Sequence, residues 1–385
     1  MKKYNWEDTI KFNKLSLRIL GLWPKGYTTY KCDFYIIHTL ILYTTFMIMH
    51  VTAQAVNVYF IRNNLKALVG TSYILLIKIL GTIKAFCLMK NMKHLKELLK
   101  ILNSDLFQPR NENQEGLVKS GTYFWKYLNR VNVSVCFITN VFYAVFPLTS
   151  SEQRRLPFLA WYPYNSKVSP YYEITYIHQI MGLGFNTTVH VNVDSLTAVF
   201  CMFAGIQFDM LSDNLRRLGE AVNEKITTEV NDSLMFCIRH HRTILRYIRT
   251  CNNIFNWIIF LQFLISGISI GITMFQLTLV VPFSNEFNSL LGYGIAITMQ
   301  IFLYCYFGNE VQLKSSNIAY AIFESQWTHL SQKIKKHLIF LSLVLLKPVQ
   351  ISALNLFYLT LDTFMRIMKT AWSYFALLYQ LNMRK

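Results

Sequence analysis

Asp362, Arg366, Lys369, Ser373 and Gln380 recur at helical spacing inside Ala353–Leu381, a segment otherwise made of Leu, Phe, Met, Ile, Tyr and Trp. At ~100° per residue they share one narrow face, over roughly 27 Å of helix. That length approaches the ~30 Å hydrocarbon thickness of a bilayer. Charged groups facing lipid are strongly unfavourable, so the stripe should face protein or water, as one wall of an aqueous path. Two further groups could carry chemistry. His190 and Asp194 lie four apart in an apolar run, and His240–His241 lies among arginines. The first suits a buried polar lock between helices more than a ligand role. The second suits a solvated helix face more than a metal site. The sequence has no P-loop, zinc-ligand spacing, nucleophile elbow or paired carboxylates in an apolar run. No catalytic residue, cofactor or metal is expected, and the chain does not read as an enzyme.

The elements that must position the stripe follow from composition. The chain has 385 residues, is 53% apolar and has a positive mean hydropathy. Together with its long apolar runs, this places it among integral membrane proteins. Candidate spans are Phe34–Tyr59, Leu68–Met89, Val131–Leu148, Ile174–Phe208, Ile254–Val281 and Leu290–Phe307. A last span is broken at Pro348 into Leu338–Leu346 and Ala353–Leu381. The expected fold class is all-α integral membrane, with seven transmembrane helices in one domain. Residues 1–33 precede the first span and 34–208 hold spans one to four. A polar helical extension at 209–253 leads to spans five and six in 254–307. An anchor region at 308–347 and the terminal helix at 348–385 complete the chain.

The net charge of +18 does not point to nucleic acid, because the basic residues lie between spans rather than on one soluble face. Alternate connections, including the N-terminal segment, carry 26 of them. The opposite side offers seven: Arg62, Lys66, Arg154, Arg155, Lys167, Arg384 and Lys385. The positive-inside rule puts the N-terminus in the cytosol and the C-terminus outside, opposite to a G-protein-coupled receptor. No cleavable signal peptide is expected before the first span. Cys32, Cys87, Cys136, Cys201, Cys237, Cys251 and Cys305 fall in spans or on the cytosolic side, leaving no external disulfide framework. Asn132, Asn186 and Asn231 match the glycosylation pattern but are placed where it goes unused. Met92–Leu102 reads either as an amphipathic helix on the membrane surface or as an extension of the second helix. Ser150–Tyr172, with three prolines and several aromatics, reads as a lid or as an interfacial aromatic belt.

The final third resembles the insect odorant receptor family, and its ligand-tuned members in particular. The resemblance rests on Cys305-Tyr306-Phe307-Gly308-Asn309-Glu310, then Ser315-Ser316, then Ala321-Ile322-Phe323-Glu324-Ser325-Gln326-Trp327. It continues in Leu361-Asp362-Thr363-Phe364 and in Ala371-Trp372-Ser373-Tyr374-Phe375-Ala376-Leu377-Leu378. The run entering the last helix departs from the family pattern, keeping only Lys347-Pro348. Ser373-Tyr374, five residues, then Gln380-Leu381 is a near match to the related gustatory receptors, which keeps that branch as the alternative.

The resemblance implies an odorant-gated, non-selective cation channel in which four subunits surround a pore. This chain would join the family's shared co-receptor, whose enlarged second cytosolic loop it lacks. It would act in the dendritic plasma membrane of olfactory sensory neurons, in contact with lipid. By match of the terminal helix, Leu377 and Leu381 would form the hydrophobic gate, closing by dewetting, with Gln380 as a polar constriction and Ser373 on the same lining. Arg366 and Lys369 would bring positive charge to a cation path unless they meet Asp362 or lipid phosphates.

A ligand pocket is expected among the outer halves of spans two, three, four and six. Span two offers Tyr73, Leu76 and Ile77; span three offers Phe137, Val141, Phe142 and Val145. Span four offers Tyr176, Ile177, Ile180 and Met181, with His178 as the one titratable candidate. Span six offers Tyr293, Ala296, Met299 and Gln300. Such walls suit a small, neutral, volatile molecule.

Overall fold

The computed structural model describes residues 3–24, 34–63, 65–149, 154–219 and 226–383. Lys2, Lys25, Lys31, Cys32, Lys225, Arg384 and Lys385 lie outside the described residues. The architecture is a bundle of long helices with one small hairpin. The first span is continuous, α2 (Phe34–Tyr43) passing through a π-helical turn at Thr44–Ile48 into α3 (Met49–Ile61). The others are α4 (Leu65–Lys90), α6 (Glu112–Val145), α7 (Tyr171–Arg216), α8 (Ile226–Leu277) and α9 (Asn285–Phe323). Among the described residues, six helices are long and apolar enough to cross a membrane. The seventh long helix, α11 (Leu361–Met383), has 23 residues, about 34 Å at ~1.5 Å rise per residue. This is a multi-span membrane protein.

α7 is the central post. Every residue from Val189 to Phe208 is buried, so this helix meets protein on all sides. Its polar side chains are matched across the bundle. Asn192 accepts from Asn13 at 3.2 Å, Ser195 donates to Asn129, and Gln207 donates to the Phe107 carbonyl at 3.3 Å. Unpaired, each would carry the full desolvation penalty of a buried polar group.

At ~1.5 Å per residue the 52 residues of α8 reach about 78 Å, more than twice the bilayer core. Its first half therefore stands outside the membrane, beside the ends of α7 and α9. Three shorter helices pack against these posts: α1 (Lys11–Ile19) on α7, α5 (Met92–Leu102) on α8 and α10 (Gln332–Leu345) on α9. α5 is separate from α4, and its apolar face (Leu95, Leu98, Leu99, Leu102) is buried inside the protein. It packs on α8 and the N-terminal turn, so neither the membrane-surface helix nor the simple extension is found. His240 and His241 are buried as well, not solvated as expected. His240 Nε2 lies 2.9 Å from Gln207 Oε1, and its ring packs between Phe107 and Phe236. Asp213, at the end of α7, accepts from Asn111, Asn113 and Gln114 at 2.7–2.9 Å and pairs with Arg217. This ties the start of α6 to the end of α7.

The expected helix from Ala353 is not present. β1 (Ser352–Ala353) pairs antiparallel with β2 (Phe357–Tyr358), and Leu354 and Asn355 turn at positive φ. The α8 residue Asn252 bonds both the backbone and the hydroxyl of Ser352, which holds this segment extended. α11 starts only after Thr360, whose hydroxyl accepts from the Thr363 N–H. Gly308, in the first motif, lies directly under Leu359, where any Cβ would collide with that residue.

Candidate functional site

Two features could do chemistry: a cavity inside the bundle and the outer face of α11. The cavity is about 70 Å³ and is walled by α4, α6, α7 and α9, with Phe158 from the 154–170 segment above it. Its apolar wall comes from Ile74, Ile77, Leu183, Ala296 and Ile297; its polar wall includes Lys78, Thr139, Asn140, Thr187, His190 and Gln300. Asn140 accepts from Thr187 at 3.1 Å, and Gln300 accepts from Gln262 of α8 at 3.3 Å.

Above the cavity is a larger vestibule of about 780 Å³, lined in part by Gln54, Tyr73, Arg155 and Glu286. The two share Ile74, Tyr143 and Phe158 as a partition. That partition is aromatic and hydrogen-bonded. Tyr73 and Tyr143 hydroxyls meet at 3.0 Å, and the Tyr143 and Phe158 rings are 5.7 Å apart. Phe158 is held by Gln179, which accepts its N–H at 3.0 Å and donates to its carbonyl at 3.2 Å. Arg155 pairs with Glu286 at 3.2 Å, joining this segment to the start of α9.

Below the cavity lies a buried ionic knot. Lys84 Nζ donates to Asp194 Oδ1 at 2.5 Å and lies 3.1 Å from His190 Nδ1. Tyr304 OH donates to the same carboxylate oxygen at 2.6 Å, and His190 Nε2 lies 2.9 Å from the Ile77 carbonyl. The expected lock at His190 and Asp194 thus has its third and fourth members on α4 and α9.

The structure distributes the expected pocket residues over several surfaces. Ile77, Tyr293, Ala296 and Gln300 line the cavity. Tyr73 is buried on the vestibule side of the partition. Phe137, Val141, Val145, Ile177 and Met181 turn outward, Phe137 being 68% exposed. Leu76, Phe142, Tyr176 and Ile180 are half-buried outside the cavity wall, Tyr176 donating to the Ala144 carbonyl. Met299 lines an apolar groove between α8, α9 and α11. His178 lies 3.2 Å from the Thr45 carbonyl and stacks on His50. Sequence reasoning missed Lys78, Asn140, Tyr143, Thr187 and the role of Lys84. Its available signal was polarity: a lysine, amide or hydroxyl within an apolar span turns inward, whereas an aliphatic side chain is at home on either face.

α11 packs on α8 through Ile367, Ala371 and Tyr374, which approach Gly267 and Gly271 closely. Its stripe lies about 140° around the helix from that seam. Asp362, Arg366, Lys369, Ser373 and Gln380 are all exposed, as are Leu377 and Leu381. Arg366 pairs with Asp362 at 2.8 Å, which reduces the positive charge presented by the stripe. The polar face therefore points away from its own bundle.

The family described as 7tm Odorant receptor matches residues 64–372. Odorant receptor 10 of Aedes albopictus is 26% identical over 265 residues, covering 69% of this chain and 70% of that protein. Odorant receptor Or1 of Anopheles gambiae is 24% identical over 410 residues, covering 98% and 97%. The solved insect olfactory receptor OR5 of Machilis hrabei, in complex with eugenol, has a TM-score of 0.86 at 16% identity. That similarity covers 97% of this chain and 98% of that one, and it concerns the fold.

Proposed function

Since the chain belongs to the odorant receptor family, we propose that it is the odorant-binding subunit of a ligand-gated, non-selective cation channel. Its partners are co-receptor subunits in a heterotetramer, in the plasma membrane of olfactory sensory neuron dendrites. Its relatives carry receptor names, not enzyme names.

The observation that carries the reading is the orientation of α11. A helix that keeps a charged and amide-bearing stripe outside its own bundle, over the depth of a membrane, needs water or other subunits against that stripe. Copies arranged around an axis would enclose a wet path, with Leu377 and Leu381 closing it beside Gln380.

The cavity supplies the ligand site. The proposed lining is Ile77, Tyr293, Ala296 and Gln300 together with Tyr143 and Lys78, and the Phe158 segment serves as lid. A short physical route links cavity to stripe. Gln300 bonds Gln262 on α8, whose seam with α11 is about two and a half turns further on at Gly271, and Phe302 of α9 meets Phe364 of α11 edge-to-face at 5.8 Å. A ligand that prefers the arrangement with α8 and α9 spread apart would draw the α11 helices from the axis and wet the gate.

The test is recording from cells that co-express the chain with the co-receptor, using a panel of volatiles. Ligand-evoked current is expected only with both subunits present. Leu377→Ala and Leu381→Ala should raise current without ligand. Evoked and resting currents unchanged in Leu377→Ala, Gln380→Ala and Leu381→Ala would remove the gate assignment.

A further inference from the structure

Two lysines sit on the inner face of α4, six residues apart, in opposite surroundings. Lys84 is fully buried and ion-paired with Asp194 at 2.5 Å. Lys78 is also buried and lines the cavity. Its Nζ lies 3.4 Å from His50 Nδ1 and 4.2 Å from the centre of the Phe158 ring. Among the described residues no carboxylate lies within 4.0 Å of it. An imidazole nitrogen and a ring face both attract an ammonium, yet neither carries the negative charge that would cancel it. A buried ammonium without an anion is strongly disfavoured, and the cavity is where a complementary anion would sit.

We propose that this cavity takes a short-chain monocarboxylic acid. Its carboxylate pairs with Lys78 in the manner of Asp194 with Lys84, and its alkyl chain lies among Ile77, Ala296 and Ile297. The inference rests on the reading of this cavity as the odorant site. It replaces the expectation of a neutral ligand with an acidic one. The volume of about 70 Å³ is far below the ~300 Å³ of sites that hold drug-sized ligands, so a short chain is what fits. Entry requires no unpaired charge to cross the aromatic partition. A neutral acid passing its proton to a neutral amine gives the same carboxylate–ammonium pair as a carboxylate meeting an ammonium.

The test compares sodium pentanoate with 1-pentanol, equal in chain length, binding to the full chain purified in detergent, with intrinsic fluorescence as the readout. Pentanoate should bind at least ten-fold more tightly. Lys78→Met should erase that preference, with an unchanged helical circular-dichroism spectrum and elution profile reporting that the variant is folded. Lys78→Gln, polar but uncharged, should behave likewise. Equal affinity for the two probes in the native chain, or an acid preference that survives both substitutions, overturns the proposal. Ala296→Trp, which fills the cavity, separates this inference from the reading beneath it. If volatile-evoked currents vanish in Ala296→Trp but no acid preference exists, the odorant site stands and its acid specificity falls. If pentanoate binding depends on Lys78 but Ala296→Trp leaves evoked currents intact, the acid site stands and the odorant reading of the cavity falls.

Discussion

Replacing Asp194 with leucine should unfold or strand much of this protein, and the effect can be worked from contacts. Its Oδ1 accepts from Lys84 Nζ at 2.5 Å and from Tyr304 OH at 2.6 Å, with all three side chains fully buried. Breaking a buried pair by removing one partner costs about 3–5 kcal/mol, because the remaining charge has no counter-ion. The stranded tyrosine hydroxyl adds about 1–3 kcal/mol. The sum is comparable with the whole ~5–15 kcal/mol stability of a typical domain. The knot itself is not optimal, since Asp194 Oδ2 has no hydrogen-bond partner among the described residues. Adding Lys84→Met and Tyr304→Phe to Asp194→Leu should therefore restore stability to within about 1–2 kcal/mol of the native chain. Surface biotinylation and thermal aggregation of the detergent-purified protein measure both effects. If the single and triple variants match the native chain, or are equally damaged, the knot is not held by a charge that needs its partner.

Two other predictions test neighbouring parts of the argument. Burial, then the nearby Arg110 and His241, pushes the His240 imidazole down to about 3, in the half of α8 outside the membrane. Its neutral form therefore stabilises the fold fully above the unfolded value of ~6.5, and that contribution is lost as pH falls from there toward 3. At pH 5 the loss is about 2 kcal/mol, and His241, also lowered by burial, acts in the same direction. Burial raises the Asp213 carboxyl, but hydrogen bonds from Asn111, Gln114 and Asn113 and the charge of Arg217 bring it below its ordinary value. Its contribution is lost only at still lower pH. Thermal stability measured between pH 7.5 and 5 should fall in the native chain and fall less in His240→Gln; parallel slopes would refute the assignment. At the α8–α11 seam, a Cβ on Gly271 would stand 2.8 Å from the Ala371 carbonyl and from Tyr374 Cβ. Gly271→Val should displace α11 at about 1–3 kcal/mol and abolish evoked current with surface level retained; normal current would show that the seam is not rigid.

Hydropathy made the spans visible because a lipid-crossing helix must be apolar for about 20 residues whatever its neighbours are. The terminal stripe was equally legible, since Asp362, Arg366, Lys369, Ser373 and Gln380 have no stable place against acyl chains. The pocket was less so. Phe137 and Ile177 face outward while Ile77 and Ile297 face the cavity, and nothing in their own chemistry distinguishes these positions, because lipid and protein core are both apolar.

What the sequence alone determined was the class: a helical membrane protein, the polar stripe of its terminal helix, and the motifs that mark its family. Only the tertiary structure decided which face of each helix turns inward, that Asn252 holds Ser352 in a hairpin where a helix was expected, and that Lys84 has a carboxylate while Lys78 has none among the described residues. The reason is one of range. Hydropathy and helical period act within a single segment, whereas a charge finds its partner across 110 residues of chain, as Lys84 does with Asp194, and that distance is closed only by folding.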